Sequence, residues 1–256
     1  MVPFFSSNLL ETTKKKAIKA VFKEIDRLAK EHNIKKASFR FPVLNRSSLE
    51  GKIPQNNFLM QFDFQDTSIN TQVIDLRMSE NKMKKGLRKV YKTNIEIGRK
   101  HFEVKMFDKK NITKEIFNKY IELHYKAAGR KTRGSYTYDF MYDLIKSDNA
   151  ILAGAVKNNE FIGFSYFYLY KDNAYYGSSC NSPDIKDISI SHLVQWTAIL
   201  WMKKKKISFY ELGWMHFPNN LEYLCSPKEL QISEFKRGFG GYTVPLFMGE
   251  KYYDKD

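Results

Sequence analysis

Apolar residues Ala17, Ala20, Val21, Ile25 and Leu28 recur at three- and four-residue spacing, the period of a helix with one buried face. The pattern predicts a helix capped by Thr12 or Thr13, stopped at His32-Asn33 and Lys-rich on its other face. Alternation over 37–41 and 58–62 and the run 71–76 predict three strands, separated by polar loops around Pro42 and Pro54. From Ser79 onward, Met83, Leu87, Val90, Asn94 and Ile97 describe one long helix ending near Lys100, with Lys and Arg over the rest of its surface. The expected layout is therefore an α+β unit over 1–78 and a basic linking helix over 79–102.

Beyond residue 103 the period changes repeatedly. Val104–Phe107 reads as a strand, and Thr113 caps a helix with Ile116, Phe117, Tyr120, Ile121 and His124 on one face, ending at Gly129. A second helix spans about 138–145. Three strands follow, 151–156, 161–169 and 174–178, joined by the turns Lys157-Asn158-Asn159 and Lys171-Asp172-Asn173. A helix over 188–201, a strand over 208–212, a short helix near 228–236 and a strand over 243–247 complete the chain. The order β-α-α-β-β-β-α-β-α-β is that of an acyltransferase fold of the GNAT type, with a mixed, largely antiparallel sheet over 103–256.

Composition narrows the class of partner. The 256 residues are 43% apolar and 15% aromatic, which excludes a disordered chain, and 43 Lys and Arg against 28 Asp and Glu leave a net charge of +15. Arg77 to Arg133 alone holds 18 basic and 6 acidic side chains. That stretch is either a docking face for a polyanion or a pair of solvated helix faces. Cys180 and Cys225 are too distant for a C-x-x-C motif, and each reads as a buried thiol in a reducing cytoplasm, no signal peptide being evident. No apolar run reaches the ~20 residues of a membrane span, so membrane contact would be peripheral, at the inner face. The five histidines form no H-E-x-x-H, and neither G-x-x-x-x-G-K-[ST] nor G-x-S-x-G occurs. No metal and no resident cofactor is called for, and Ser178 and Ser179 beside Cys180 read as a strand end.

Four blocks carry a resemblance. Thr71-Gln72-Val73-Ile74-Asp75-Leu76 with the basic helix bearing Lys92-Thr93-Asn94-Ile95, the run His124 to Arg133, Tyr210-Glu211-Leu212-Gly213, and Glu234-Phe235-Lys236-Arg237-Gly238-Phe239-Gly240-Gly241 resemble, in the same order, the Fem family of peptidoglycan-bridge aminoacyltransferases. The likeness covers about 70–248, and residues 1–70 resemble only the later part of that family's first GNAT-like domain. It implies a partial second GNAT-like unit ahead of the acyltransferase domain. It also implies transfer of an acyl group from an activated ester, typically aminoacyl-tRNA, to an amine of a cell-envelope precursor, a peptidoglycan stem peptide or the amino sugar of a surface polysaccharide.

Such a transfer needs no covalent enzyme intermediate, because a neutral amine held close can attack the ester directly. The protein must stabilise the negative charge that develops on oxygen. By the resemblance, Lys236 supplies that cation at the acyl-tRNA end and Phe235 a face on which a terminal base stacks. Arg237 is a second cation on the same turn. Arg130 and Arg133 match the family's contact to the acceptor diphosphate, and a guanidinium fork suits a phosphate; Arg130 equally suits the C-terminal end of a helix dipole. For the general base the candidates are His124, His192, Glu211 and Glu229. Glu211 replaces an Asp common in the family, and Trp214 stands where a Gly is expected, which narrows the strand end.

Two other readings remain. A CoA-dependent GNAT N-acetyltransferase would use acyl-CoA, but its phosphate loop needs glycines and Cys180–Ser191 contains none. A non-catalytic RNA-binding module would interleave exposed aromatics with the cations of Arg77–Arg133, whereas those aromatics fall on expected core faces. The short first unit is compatible with a remodelled site or with a second subunit.

Overall fold

The computed structural model describes residues 10–41, 43, 56–186, 188–218 and 224–253. The loops read around Pro42 and Pro54 lie outside the described residues. The described chain divides into two compact units, 1–71 with 244–256, and 72–243. These bounds differ from the breaks expected at 78 and 102.

In the first unit, α1 (Glu11–Glu31) accompanies an antiparallel sheet of β1 (Lys36–Arg40), β10 (Met248–Tyr252) and β2 (Gln65–Asp66), in the order β1-β10-β2. Phe22, Leu59 and Phe64 form its core, with Phe39, Phe41, Phe58 and Phe62 packed around them. Two expectations fail in this unit. The N-cap of α1 is Leu10, which places Thr12 and Thr13 inside the helix. Residues Phe58–Phe62 form a 3-10 turn, not a strand, because the Asn57 side chain caps Leu59 N–H and Asp63 turns into the left-handed region at φ 62. Lastly, β10 was not foreseen.

The second unit is built on strands in the order β4-β5-β6-β7-β8-β3-β9: β4 Glu103–Phe107, β5 Ala150–Lys157, β6 Glu160–Tyr170, β7 Asn173–Asn181, β8 Phe209–Met215, β3 Ile69–Asp75 and β9 Tyr242–Leu246. Both β3 and β9 straddle a boundary of the division. The β4/β5, β5/β6 and β6/β7 ladders are antiparallel and β7/β8 is parallel. The sheet is mixed and largely antiparallel, as expected.

Every residue of β5 but the last is buried, since helices cover both faces of the sheet. On one face Ile151, Ala153 and Ala155 join Leu193, Trp196, Ile199 and Met202 of α6 (Ile190–Lys204). On the other, Leu152, Phe164 and Tyr166 meet Phe117, Tyr120, Tyr138 and Met141 of α4 (Lys114–Ala128) and α5 (Ser135–Lys146). Thr113 caps α4 through Ile116 N–H, and Gly129 ends it at φ 67, as its sequence predicts.

The long helix expected from Ser79 is two helices, α2 (Glu80–Gly86) and α3 (Lys89–His101). Leu87 between them is extended at ψ 141 and buried, and Arg88 N–H donates to Gly238 O at 3.0 Å. Tertiary packing at the Gly86 stop thus overrides a continuous helical period. The last helix, α7 (Pro227–Arg237), starts on a Ser226/Glu229 capping box. Cys180 is buried as expected, whereas Cys225 is only half-buried.

Candidate active site

In β7, Tyr166 of β6 faces Ser178 while Phe167 faces Tyr176, leaving Gly177 as a one-residue bulge. The parallel ladder between β7 and β8 runs only from Asn173/Phe209 to Tyr175/Glu211. Past that point a hollow of about 720 Å³ is lined by Tyr175 to Ser179 from β7, Leu212 and Trp214 from β8, Ser191 at the start of α6, and five residues of α7. Those five are Lys228, Gln231, Ile232, Phe235 and Lys236. Among the described residues the lining therefore combines aromatic rings, hydroxyls and two ammonium groups, with no carboxylate.

Lys236 is half-buried on the wall and donates from Nζ to Trp214 O at 2.7 Å. Burial lowers its pKa to about 8, against the opposing pull of the Glu211 carboxylate. Gly213 makes this arrangement possible. Its φ of +86° suits glycine, and a Cβ there would stand 3.2 Å from Tyr175 Oη and 3.6 Å from Lys236 Nζ. Glu211 is buried one residue before Leu212 on the same strand. His216 N–H donates to Ser233 Oγ at 2.8 Å, which ties the end of β8 to α7.

Behind the wall, His192 is buried with Nε2 unpartnered among the described residues, and desolvation lowers its pKa to about 4. Its Nδ1 meets Ser189 Oγ, and its ring stacks edge-on against Tyr91 and Phe235. A neutral imidazole in this setting is a packing element that backs Phe235. Glu229 is engaged in the capping box of α7.

The other sequence-derived residues lie elsewhere. His124 forms a cluster with Thr132 (Nδ1, 3.0 Å), Tyr138 (Nδ1, 3.4 Å) and Arg133, whose guanidinium donates to Nε2 at 3.1 Å. Desolvation first, and then the Arg133 charge, lower the His124 pKa, so this histidine is held neutral. Arg130 is exposed just past Gly129. Arg237 lies over Phe217 at 5.6 Å and pairs with Glu234 at 3.6 Å. Phe235 and Lys236 thus share the hollow, with Glu211 acting on Lys236, while His124, Arg130, Arg133 and Arg237 are not among its lining residues.

Sequence reasoning missed Tyr175 and Ser178. Ser178 Oγ is 2.8 Å from Tyr120 Oη, a buried phenol whose pKa is raised by desolvation. A glycine at 177 inside an alternating strand was the available signal for the bulge. Among the described residues no group of His, Cys, Asp and Glu could hold a metal ion, and no helix is long and apolar enough to cross a membrane.

No family model and no curated protein sequence matches the chain. Solved structures do. FemX matches with a TM-score of 0.68 at 11% identity, covering 95% of this chain and 78% of FemX. L-PGS from Bacillus licheniformis gives 0.53 at 13%, covering 75% and 63% respectively. A tandem GNAT protein from the clavulanic acid biosynthesis pathway gives 0.52 at 12%, covering 93% and 70%. The chain thus spans less than two thirds of the L-PGS structure. These likenesses show that the chain shares the fold of FemX and of the tandem GNAT protein.

Proposed function

We propose that the chain is an acyltransferase that makes an amide, with the hollow between β7 and β8 holding the activated end of the acyl donor. The observation that carries this reading is a half-buried ammonium, Lys236, on the wall of a hollow lined by aromatic rings and hydroxyls. The donor is an aminoacyl-tRNA ester and the acceptor an amine of a phosphate-bearing cell-envelope precursor. The neutral amine attacks the ester carbonyl and forms the C–N bond, the C–O bond to the ribose then breaks, and the proton given up by the amine passes to the departing ribose oxygen, which leaves as a hydroxyl; Lys236 stabilises the negative charge that develops on the tetrahedral oxygen and on the leaving oxygen. A cation so placed lowers the barrier by about 3 kcal/mol. Phe235 offers its ring to the terminal base of the donor, and Arg130 and Arg133 bind acceptor phosphate.

The test is incubation with labelled aminoacyl-tRNAs, labelled acyl-CoAs and envelope precursors. Label should pass from aminoacyl-tRNA to the precursor amine, and Lys236→Ala should slow it about a hundredfold or more. Transfer from acyl-CoA alone would replace the donor assignment, and unchanged transfer by Lys236→Ala would remove that residue from the mechanism.

A further inference from the structure

The turn of α7 that carries Phe235 and Lys236 is fastened to the junction of α2 and α3. Tyr91 Oη donates to Phe235 O at 3.1 Å, Arg88 N–H donates to Gly238 O at 3.0 Å, and a Cβ at Gly240 would lie 3.0 Å from Gly86 O. From this junction outward the two helices expose Lys82, Lys84, Lys85, Arg88, Lys89, Arg99 and Lys100. Their acidic residues are Glu80 and Glu96, and Glu96 is engaged by Lys84 at 3.8 Å and Arg99 at 2.9 Å. Lys85, Arg88 and Lys89, nearest the fastening, form no ion pair among the described residues. Exposed cations without ion-pair partners among the described residues therefore adjoin the turn of α7 that carries Phe235 and Lys236.

We infer that this α2–α3 face is the docking surface for the phosphate backbone of an RNA whose 3′ end enters the hollow between β7 and β8, an inference that rests on the proposed donor site. Charge complementarity carries it: the phosphates of a strand are spaced along its length, and a row of Lys and Arg displaces their counterions together. In the hollow itself, Trp214 and Phe235 offer stacking faces to terminal bases. A lipid surface fits less well. Val90 and Ile97 are the exposed large apolar residues of the two helices, and an interfacial helix needs a broad apolar face with bulky anchors.

The experiment measures binding of a fluorescent RNA acceptor-stem hairpin to the full chain across a range of salt, with anionic phosphatidylglycerol vesicles in a parallel arm. The triple variant Lys85→Ser/Arg88→Ser/Lys89→Ser should bind about tenfold or more weakly, with a log–log salt slope shallower by about 2. Lys85→Arg/Arg88→Lys/Lys89→Arg should restore binding, which separates loss of charge from loss of fold. Lys15→Ser/Lys19→Ser/Lys23→Ser, on α1, should bind as the unaltered chain does. Unchanged affinity and slope in the triple variant would overturn the inference, as would loss of vesicle binding with RNA binding intact. If RNA binding maps to this face and no acyl transfer occurs with any donor, the docking surface stands and the activity reading falls.

Discussion

Lys236 depends on Gly213 for its place on the wall. The lysine reaches Trp214 O past residue 213, which turns at positive φ and where a Cβ would stand 3.6 Å from Lys236 Nζ and 3.2 Å from Tyr175 Oη. Gly213→Ala should therefore impair transfer more than it impairs donor binding, seen as a fall in kcat with a smaller change in KM. The thiols make an independent check. Burial raises the Cys180 pKa to about 12, whereas Cys225 is half-buried. A thiol reagent should modify one cysteine in the native protein, Cys225, and the second only in denaturant.

At the scale of elements, the wall of the hollow is only as stable as α7 and its seat. Ser226 and Glu229 satisfy its first N–H groups reciprocally, so Ser226→Ala should cost about 1 kcal/mol in denaturant unfolding. A Cβ at Gly238 would fall 2.1 Å from the Tyr91 ring, which is itself packed against His192 and Phe239. Gly238→Ala should destabilise the chain by about 1–3 kcal/mol, measured the same way.

These elements also show what sequence could and could not reveal. The helix from Thr113 to Gly129 and the hairpin strands of 150–181 were legible, because caps, turns and periods agree there. The break at Leu87 was not, because it is set by Gly238 and Gly240, which are far away in sequence. Strand β10 was hidden for another reason. Its pattern is written in charges, Lys251 with Asp26 at 3.0 Å and Glu250 with Lys36 at 3.0 Å, rather than in apolar alternation. Phe235 and Lys236 were legible through a motif, but Tyr175 and Ser178 reach the hollow only through the bulge at Gly177.

For the molecule as a whole, the charge excess acquires a place. The basic stretch from Arg77 to Arg133 covers α2, α3 and α4, and the part of it on α2 and α3 abuts the turn that carries Lys236. The most direct measurement is the pH dependence of acyl transfer, taken as the ratio of the rate of the unaltered chain to that of Lys236→Arg, so that titration of the attacking amine cancels. Lys236 has a pKa lowered to about 8, so its cation is present below that pH and lost above it, whereas a guanidinium stays charged. If Lys236 stabilises the oxyanion as a cation, the ratio is constant at neutral pH and falls tenfold per unit above about 8. A ratio that stays flat through pH 10, or Lys236→Ala retaining the full rate, would contradict it.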